Sequence, residues 1–355
     1  MAESAARAGH VVTSLDAFGD LDQHPGVRAL SLPRDLGVAF TATAATKAAM
    51  ELECDAVAYL SPFENHPSAV RRLEQRAALW GNGPSVLKRA RDPRVLAATF
   101  GSAVNAEPTR WLLKPRASGG GHRIRWWTPG DVVPAGSYVQ PFFDGVPSSI
   151  IFVAAAGHAV PLGLTRQLVG EEAFGAREFR YCGNILCHAE SADLLPATAA
   201  LAEVAAREFN LVGVNCIDFI AREAHAYPIE INPRWSASME LVERAYGLTM
   251  FGTHAGACAA GELPSFDLSR ARAIAPAVGK AIVFARHDVI CGDTRDWRDD
   301  PTVRDVPHPG ERIAAGRPAC TVFADGANAA ECHAALVRRA NRVYEILESW
   351  SSVAA

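Results

Sequence analysis

The alternation of apolar and polar positions is sharpest between residues 212 and 241, in VGVNCIDFIAREAHAYPIEINPRWSASMEL. Two apolar, β-branched and aromatic runs, 214–221 and 226–232, flank the polar break Arg222-Glu223-Ala224-His225. That is the pattern of a β-hairpin. A turn centred on Ala224 sets Asp218 opposite Glu230, Ile217 opposite Ile231 and Phe219 opposite Ile229. Side chains alternate between faces with period two. Ile217, Phe219, Ile229 and Ile231 are therefore expected on a core-facing side, with Asp218, Glu230 and Asn232 on the other. Pro228 donates no ladder hydrogen bond and marks its run as an edge strand or an irregular stretch.

Elsewhere the pattern predicts strands at 11–15 (VVTSL) and 56–60 (AVAYL) and helices over 43–53 and 67–80, a β-α rhythm that suggests a small parallel sheet wrapped by helices. Gly81-Asn82-Gly83-Pro84 is a strong breaker and the best domain boundary. A short helix is expected over 93–99. Two short strands within 110–127 (RWLLKPRASGGGHRIRWW) flank a loop holding Ser118-Gly119-Gly120-Gly121. Runs 136–143 and 148–155 flank Asp144-Gly145, a good hairpin signal, and 159–165 continues the meander. Helices follow over 192–209, 240–247 and 250–261, with Ser236 or Ser238 as an N-cap. Strand-like runs at 280–285 and 319–323 precede a long terminal helix opened by Gly326. This gives four units: a βα domain over 1–88, a small lobe over 89–140, a large lobe over 141–265 and an α+β extension over 266–355.

The chemistry that this pattern exposes is specific at one place. Two carboxylates and an amide oxygen on one strand face, without thiolate or imidazole, make the hard-oxygen set that Mg²⁺ takes when phosphate oxygens and waters complete its octahedron; an acidic solvent face is the bland alternative. Arg234 lies two residues beyond Asn232, within reach of an anion held by the same metal. Three consecutive glycines let backbone N–H groups approach an anion closely. A P-loop would place its lysine after the glycines and open a helix; here Lys114 precedes them and a strand follows, so the loop reads as a hairpin folding over phosphates or as a plain flexible tip. Arg166 and Gln167 close a strand in LTRQLVG, a place for an anion contact or a solvated strand end. The acids Asp16, Asp20 and Asp22 read as turn-formers. No dinucleotide G-x-G-x-x-G follows an early strand, and no nucleophilic triad is evident.

Composition narrows the rest. The chain has 355 residues, 49% hydrophobic and 21% charged, with net charge −4, an ordinary globular balance without the basic footprint of a nucleic-acid binder. No apolar run approaches the ~20 residues that span a membrane, and MAESAARAGH lacks the apolar core of a signal peptide, so a cytoplasmic protein is expected. The eight cysteines are scattered without a C-x-x-C pair and read as reduced core thiols. Cys182, Cys187 and His188 lack a fourth ligand for zinc. Of 35 basic residues only Lys47, Lys88, Lys114 and Lys280 are lysines, each a candidate for a position that needs a compact ammonium.

Taken together, LLKPRASGGGHRI, YVQPFFDG, CIDFI and IEINPR resemble the ATP-grasp superfamily over about residues 90–255. IEINPRWSASMEL, with GNGPSVLKRARDP upstream, looks most like its predicted ATP-dependent carboligases, a group linked with one-carbon cofactor biosynthesis. The resemblance implies an α/β (α+β) ATP-grasp fold with a Rossmann-like N-terminal domain, a two-lobed core and a small C-terminal cap. It implies ATP and one or two Mg²⁺, with Mn²⁺ meeting the same demand. Lys114 would contact the α/β phosphates, with Ser118, Gly119, Gly120 and Gly121 closing over them and Tyr138, Val139 and Gln140 forming the hinge strand beside adenine. Asp218, Glu230 and Asn232 would hold the metal, and Arg234 would steady the γ-phosphate or an acyl phosphate; Arg166 joins Arg234 as a candidate catalytic residue. The hinge residue that is often Glu is Gln140. The lobe's usual earlier lysine is not evident in ARDPRVL (90–96), where Arg91 or Arg94 would stand in. The implied reaction joins a small carboxylate to an amine through an acyl phosphate, with small-molecule partners, no nucleic acid, no membrane, and a homodimer compatible with the architecture. An ATP-dependent carboxylase and a nucleotide-binding regulatory subunit or sensor are the alternatives.

Overall fold

The computed structural model describes residues 1–101, 110–186 and 193–353. Its centre is an eight-stranded sheet with every neighbouring pair antiparallel. From one edge inward run His225–Asn232, Gly213–Arg222, Val146–Ala155, His158–Val169 and Tyr181–Leu186; Ala277–Phe284, Pro318–Gly326 and Val303–Arg304 complete it. The strands expected in the C-terminal extension thus continue the same sheet as the hairpin. The long helix Ala329–Val353 packs on that end, with Cys332, Leu336, Val343 and Leu347 buried among Ile185, Ala281 and Val283.

The alternation that the sequence shows is used on both faces. Ile217, Phe219 and Ile231 pack against Ala202, Ala205 and Phe209 of the helix Leu195–Phe209. Val214 and Cys216 face the opposite way, among Met239 and Val242 of Met239–Tyr246 and Met250 and Phe251 of Met250–Ala260. A side chain buried this fully contributes roughly 1.5–3 kcal/mol. The second face is therefore closed by helices as far as Cys216 and opens at Asp218, the next residue on that side. Residue 192, at which the helix ending at Phe209 was expected to begin, lies outside the described residues, as do Cys187 and His188.

A second sheet of three strands, Arg125–Trp127, Trp111–Pro115 and Ser137–Pro141, lies above the open part of that face and carries the glycine loop. Asp144-Gly145 was expected to turn a hairpin between 136–143 and 148–155. It does not: Ser137–Pro141 pairs with Trp111–Pro115, whereas Val146–Ala155 pairs with strands of the large sheet. The dipeptide instead carries the chain from one sheet to the other. Gly145 sits at φ 157 with the Ala221 carbonyl 2.5 Å from where a Cβ would be, and Asp144 is tied to Arg110 at 2.6 Å.

The N-terminal region holds two separate parallel pairs, Val12–Asp16 with Val27–Ser31 and Ala56–Val57 with Ala78–Leu79, beside the helices Ala42–Met50 and Pro67–Arg76. Asp16 accepts from Phe18 N and Gly19 N, the turn-forming role expected of it. Asn82, inside the expected breaker, is buried and bolted to the large sheet. Its Nδ2 donates to Val212 O, Asn215 Oδ1 and Pro233 O, and its Oδ1 accepts from Val212 N.

Candidate active site

Asp218 stands opposite Glu230 and Ile217 opposite Ile231 in the hairpin, as the alternation predicts. The register then shifts, and Phe219 faces Pro228 rather than Ile229. Pro228 has no N–H to give, and its strand is the sheet edge, where a bulge is tolerated. Ile229, expected on the core side, consequently lines the cleft next to Glu230.

The face bearing the carboxylates is crowded with partners. Asp218 Oδ1 accepts from Gln167 Nε2 at 2.8 Å, and Oδ2 accepts from Asn232 Nδ2 at 2.8 Å. Burial and then the adjacent Glu230 charge push the Asp218 carboxyl up to about 6. Burial acts in the same direction on Glu230, but the Arg91 and Lys114 charges outweigh it and hold that carboxyl below its ordinary value. Arg91 is the pivot. Its Nη1 is paired with Glu230, its Nη2 donates to Ser118 O at 3.1 Å, and its Nε donates to Asn65 Oδ1 at 3.2 Å. Arg94, the other candidate for the early cation, is turned outward and bound to Asp92, the N-cap of its own helix.

Across the cleft, Lys114 is buried on the three-stranded sheet and donates to Gln140 Oε1 at 3.0 Å, while Gln140 Nε2 donates to Ile229 O at 3.1 Å. This chain of bonds joins the small sheet to the edge of the large one. Arg116 N donates to Gly136 O and Phe142 N to Arg110 O; by the alternation of an antiparallel ladder, Tyr138 and Gln140 direct their backbone groups towards Trp111–Pro115. Val139 directs its N–H and C=O away from that strand, along the hinge edge. The Tyr138 ring lines the cleft with Arg116 over it, 5.6 Å from the ring centroid.

The glycine loop forms the lid of the cleft, and Gly119, Gly120 and Gly121 all line it. It is not a loose tip. Gly120 O accepts from Tyr181 N at 3.1 Å, and a Cβ on Gly121 would lie 1.8 Å from the Phe179 carbonyl, at a left-handed φ of 77. Only glycine permits that approach. The space left in the cleft is about 40 Å³, because Arg91 spans it from the loop to Glu230.

Arg234 closes the far end. Its Nη2 donates to Asn232 Oδ1 at 3.2 Å and lies 2.8 Å from Glu64 Oε1. Glu64 is 1% exposed, and neither of its carboxylate oxygens has a hydrogen bond of good geometry. Nothing in the sequence singles it out within SPFENHPS (61–68). Arg166 does not join the group. It is paired with Ser148, which is paired with Phe219, so it shares the core-side face, while its neighbour Gln167 is the one that reaches Asp218.

Residues 90–238 match the family model described as an ATP-grasp domain. No curated protein matches the chain in sequence. Among solved structures it is similar to the L-amino acid ligase from Bacillus licheniformis, at 14% identity over 96% of this chain and 93% of that one, with a TM-score of 0.64. It is similar to the N5-carboxyaminoimidazole ribonucleotide synthetase from Thermus thermophilus, at 17% identity over 95% and 93%, TM-score 0.65. A third is the biotin carboxylase domain dimer of the Hydrogenobacter thermophilus 2-oxoglutarate carboxylase, in complex with MgADP, ADP and bicarbonate, at 14% identity over 91% and 83%, TM-score 0.63. At such identities the likeness speaks for the fold: the chain has the ATP-grasp fold, shared by ligases and carboxylases.

Proposed function

We propose that the protein is an ATP-dependent ligase that joins a carboxylate to an amine, releasing ADP and phosphate. The observation that carries the reading is that Glu230, opposite Asp218 in the hairpin, lines one cleft with Lys114, Arg91 and the glycine loop. Anion-binding groups and a pair of hard-oxygen carboxylates meet there across one cleft, as a triphosphate and its counter-ions require.

The donor set fits a divalent metal. The two carboxylates are half-buried and repel one another, and partial burial followed by that repulsion raises the Asp218 carboxyl, which a cation between them would relieve. Among the described residues no cluster of three or more His, Cys, Asp or Glu suits a metal, so the remaining ligands would come from the nucleotide and water. Mg²⁺ bound by Asp218, Glu230 and Asn232 would neutralise charge on the transferring phosphoryl group.

The chain's own groups then divide the work. Val139 offers an N–H and a C=O to the adenine edge. Lys114 and the glycine-loop amides take the phosphates. Arg91 exchanges Glu230 for a phosphate oxygen, which frees both the carboxylate and the space that the guanidinium fills. A carboxylate oxygen of the acid substrate attacks the γ-phosphorus, and the bond from that phosphorus to the β-bridging oxygen breaks, so ADP leaves. The amine nitrogen then attacks the acyl carbon of the resulting acyl phosphate, inorganic phosphate departs, and the nitrogen gives up a proton. Arg234 is placed to hold the acyl phosphate. The link to one-carbon cofactor biosynthesis is supported by the IEINPRWSASMEL and GNGPSVLKRARDP segments alone.

The test is ADP release across pairs of acids and amines. Release that needs both, and that Asp218→Asn together with Glu230→Gln abolishes, is expected. Release supported by bicarbonate as the only acid would replace the ligase with a carboxylase. Nucleotide binding with no pair-dependent release would leave a sensor.

A further inference from the structure

Beside the glycine loop lies a second cavity, of about 760 Å³, which shares Gly121 and Ile124 with the nucleotide cleft. Its walls are the far end of the glycine hairpin, the segment between His158–Val169 and Tyr181–Leu186, and the residues that follow Ala277–Phe284. Four arginines meet there or at the rim: Arg123, Arg177, Arg180 and Arg286, with Arg317 adjoining Gly316 of the wall.

Two of these guanidiniums rest on aromatic faces, and Arg123, Arg177 and Arg317 are exposed around them. Arg180 lies over the Phe284 ring at 4.0 Å and Arg286 over the Tyr344 ring at 3.7 Å. Glu172 and Glu178 are also in the lining. Even so, among the described residues no carboxylate lies within ion-pair distance of Arg123, Arg180, Arg286 or Arg317. Arg180, Arg317 and Arg123 all act on the His122 imidazole, which burial and then those charges pull below its ordinary value. Burial and Arg317 do the same to Arg180. Like charges gathered against aromatic faces around an open cavity are stabilised by a multiply charged anion, and guanidinium forks match phosphate oxygens.

We propose that this cavity binds a phosphate-bearing small molecule, with its phosphate between Arg180 and Arg317 and the rest of the molecule in the space towards Arg286. A single carboxylate would leave most of the clustered charge uncompensated, whereas a phosphate monoester brings close to two charges at neutral pH. The segment that carries Arg180 is also the one stitched to the glycine loop through Phe179 and Tyr181. A phosphate seated there braces the lid of the nucleotide cleft.

The inference does not depend on the ligase reading and is tested apart from it. Inorganic phosphate is titrated calorimetrically, at fixed ionic strength, into the wild type, Arg180→Ala, Arg317→Ala and Lys114→Ala. Arg317 is exposed, so its variant keeps the test valid if loss of Arg180 disturbs packing on Phe284. Saturable binding to the wild type and to Lys114→Ala, weakened at least tenfold by both arginine variants, is the expected result. A flat titration of the wild type, or weakening by Lys114→Ala with the arginine variants unchanged, would overturn the proposal.

Discussion

Arg91 and Arg94 flank the same proline in ARDPRVL, and both are arginines three residues apart with nothing in the local pattern to rank them. The structure separates them through Asp92, which caps the following helix and engages Arg94, leaving Arg91 to face inward. Replacing Arg91 with Ala is expected to weaken a non-hydrolysable ATP analogue at least tenfold in calorimetry, and replacing Arg94 to leave it unchanged; equal effects would remove Arg91 from the site. Lys114, by contrast, was legible, because one of only four lysines precedes a triple glycine on a strand. Glu64 was not. Its role depends on a contact with Arg234, 170 positions away in sequence, and such long-range placement leaves no periodic trace.

Among elements, the acidic hairpin was the most legible, because period-two alternation and a short polar break fix both register and face. The misreading at Ile229 has a local cause: Pro228 was visible as an irregularity, but the side to which the slip would send its neighbours is decided by the cleft. The Asp144-Gly145 error is of another kind. The turn signal was genuine, but strand partners are chosen by the whole sheet, and the strands on either side belong to different sheets. The glycine loop supplies a sharp prediction. Gly121→Ala adds a methyl group where the Phe179 carbonyl stands and at a positive φ. It is expected to cost about 1–3 kcal/mol in thermal or denaturant unfolding and to weaken analogue binding. Gly119→Ala, whose new methyl would have only Ser61 Oγ nearby at 3.9 Å, is expected to be mild in unfolding.

For the molecule as a whole, two buried polar residues tie the N-terminal segments to the large sheet, and both lie where the sequence showed only a breaker and an Ala-rich helix. Asn82 makes four hydrogen bonds across that junction, and Asn82→Ala is expected to remove roughly 2–4 kcal/mol of stability by leaving buried groups unpaired. His254 accepts from Val214 N through Nδ1, with its Nε2 3.2 Å from Trp80 O, and burial pulls its imidazole down to about 4. The folded state thus resists the proton that the unfolded chain accepts near 6.5. Stability from this group is complete above that value and is lost as pH falls towards 4, by about 3 kcal/mol. Unfolding of His254→Gln is expected to show a correspondingly flatter pH dependence between 6.5 and 4; an unchanged slope would assign the acid sensitivity to other groups. Among the described residues no helix is long and apolar enough to cross a membrane.

The Asp218–Glu230 pair and the groups facing it are the proposed site for a metal-bound nucleotide. It is tested most directly by calorimetric titration of a non-hydrolysable ATP analogue, with and without Mg²⁺, into the wild type and Glu230→Gln. Binding to the wild type that magnesium strengthens and that the substitution weakens is the expected result. Absence of binding to the wild type, or binding indifferent to both magnesium and Glu230, would contradict it and return the hairpin to an acidic sheet face.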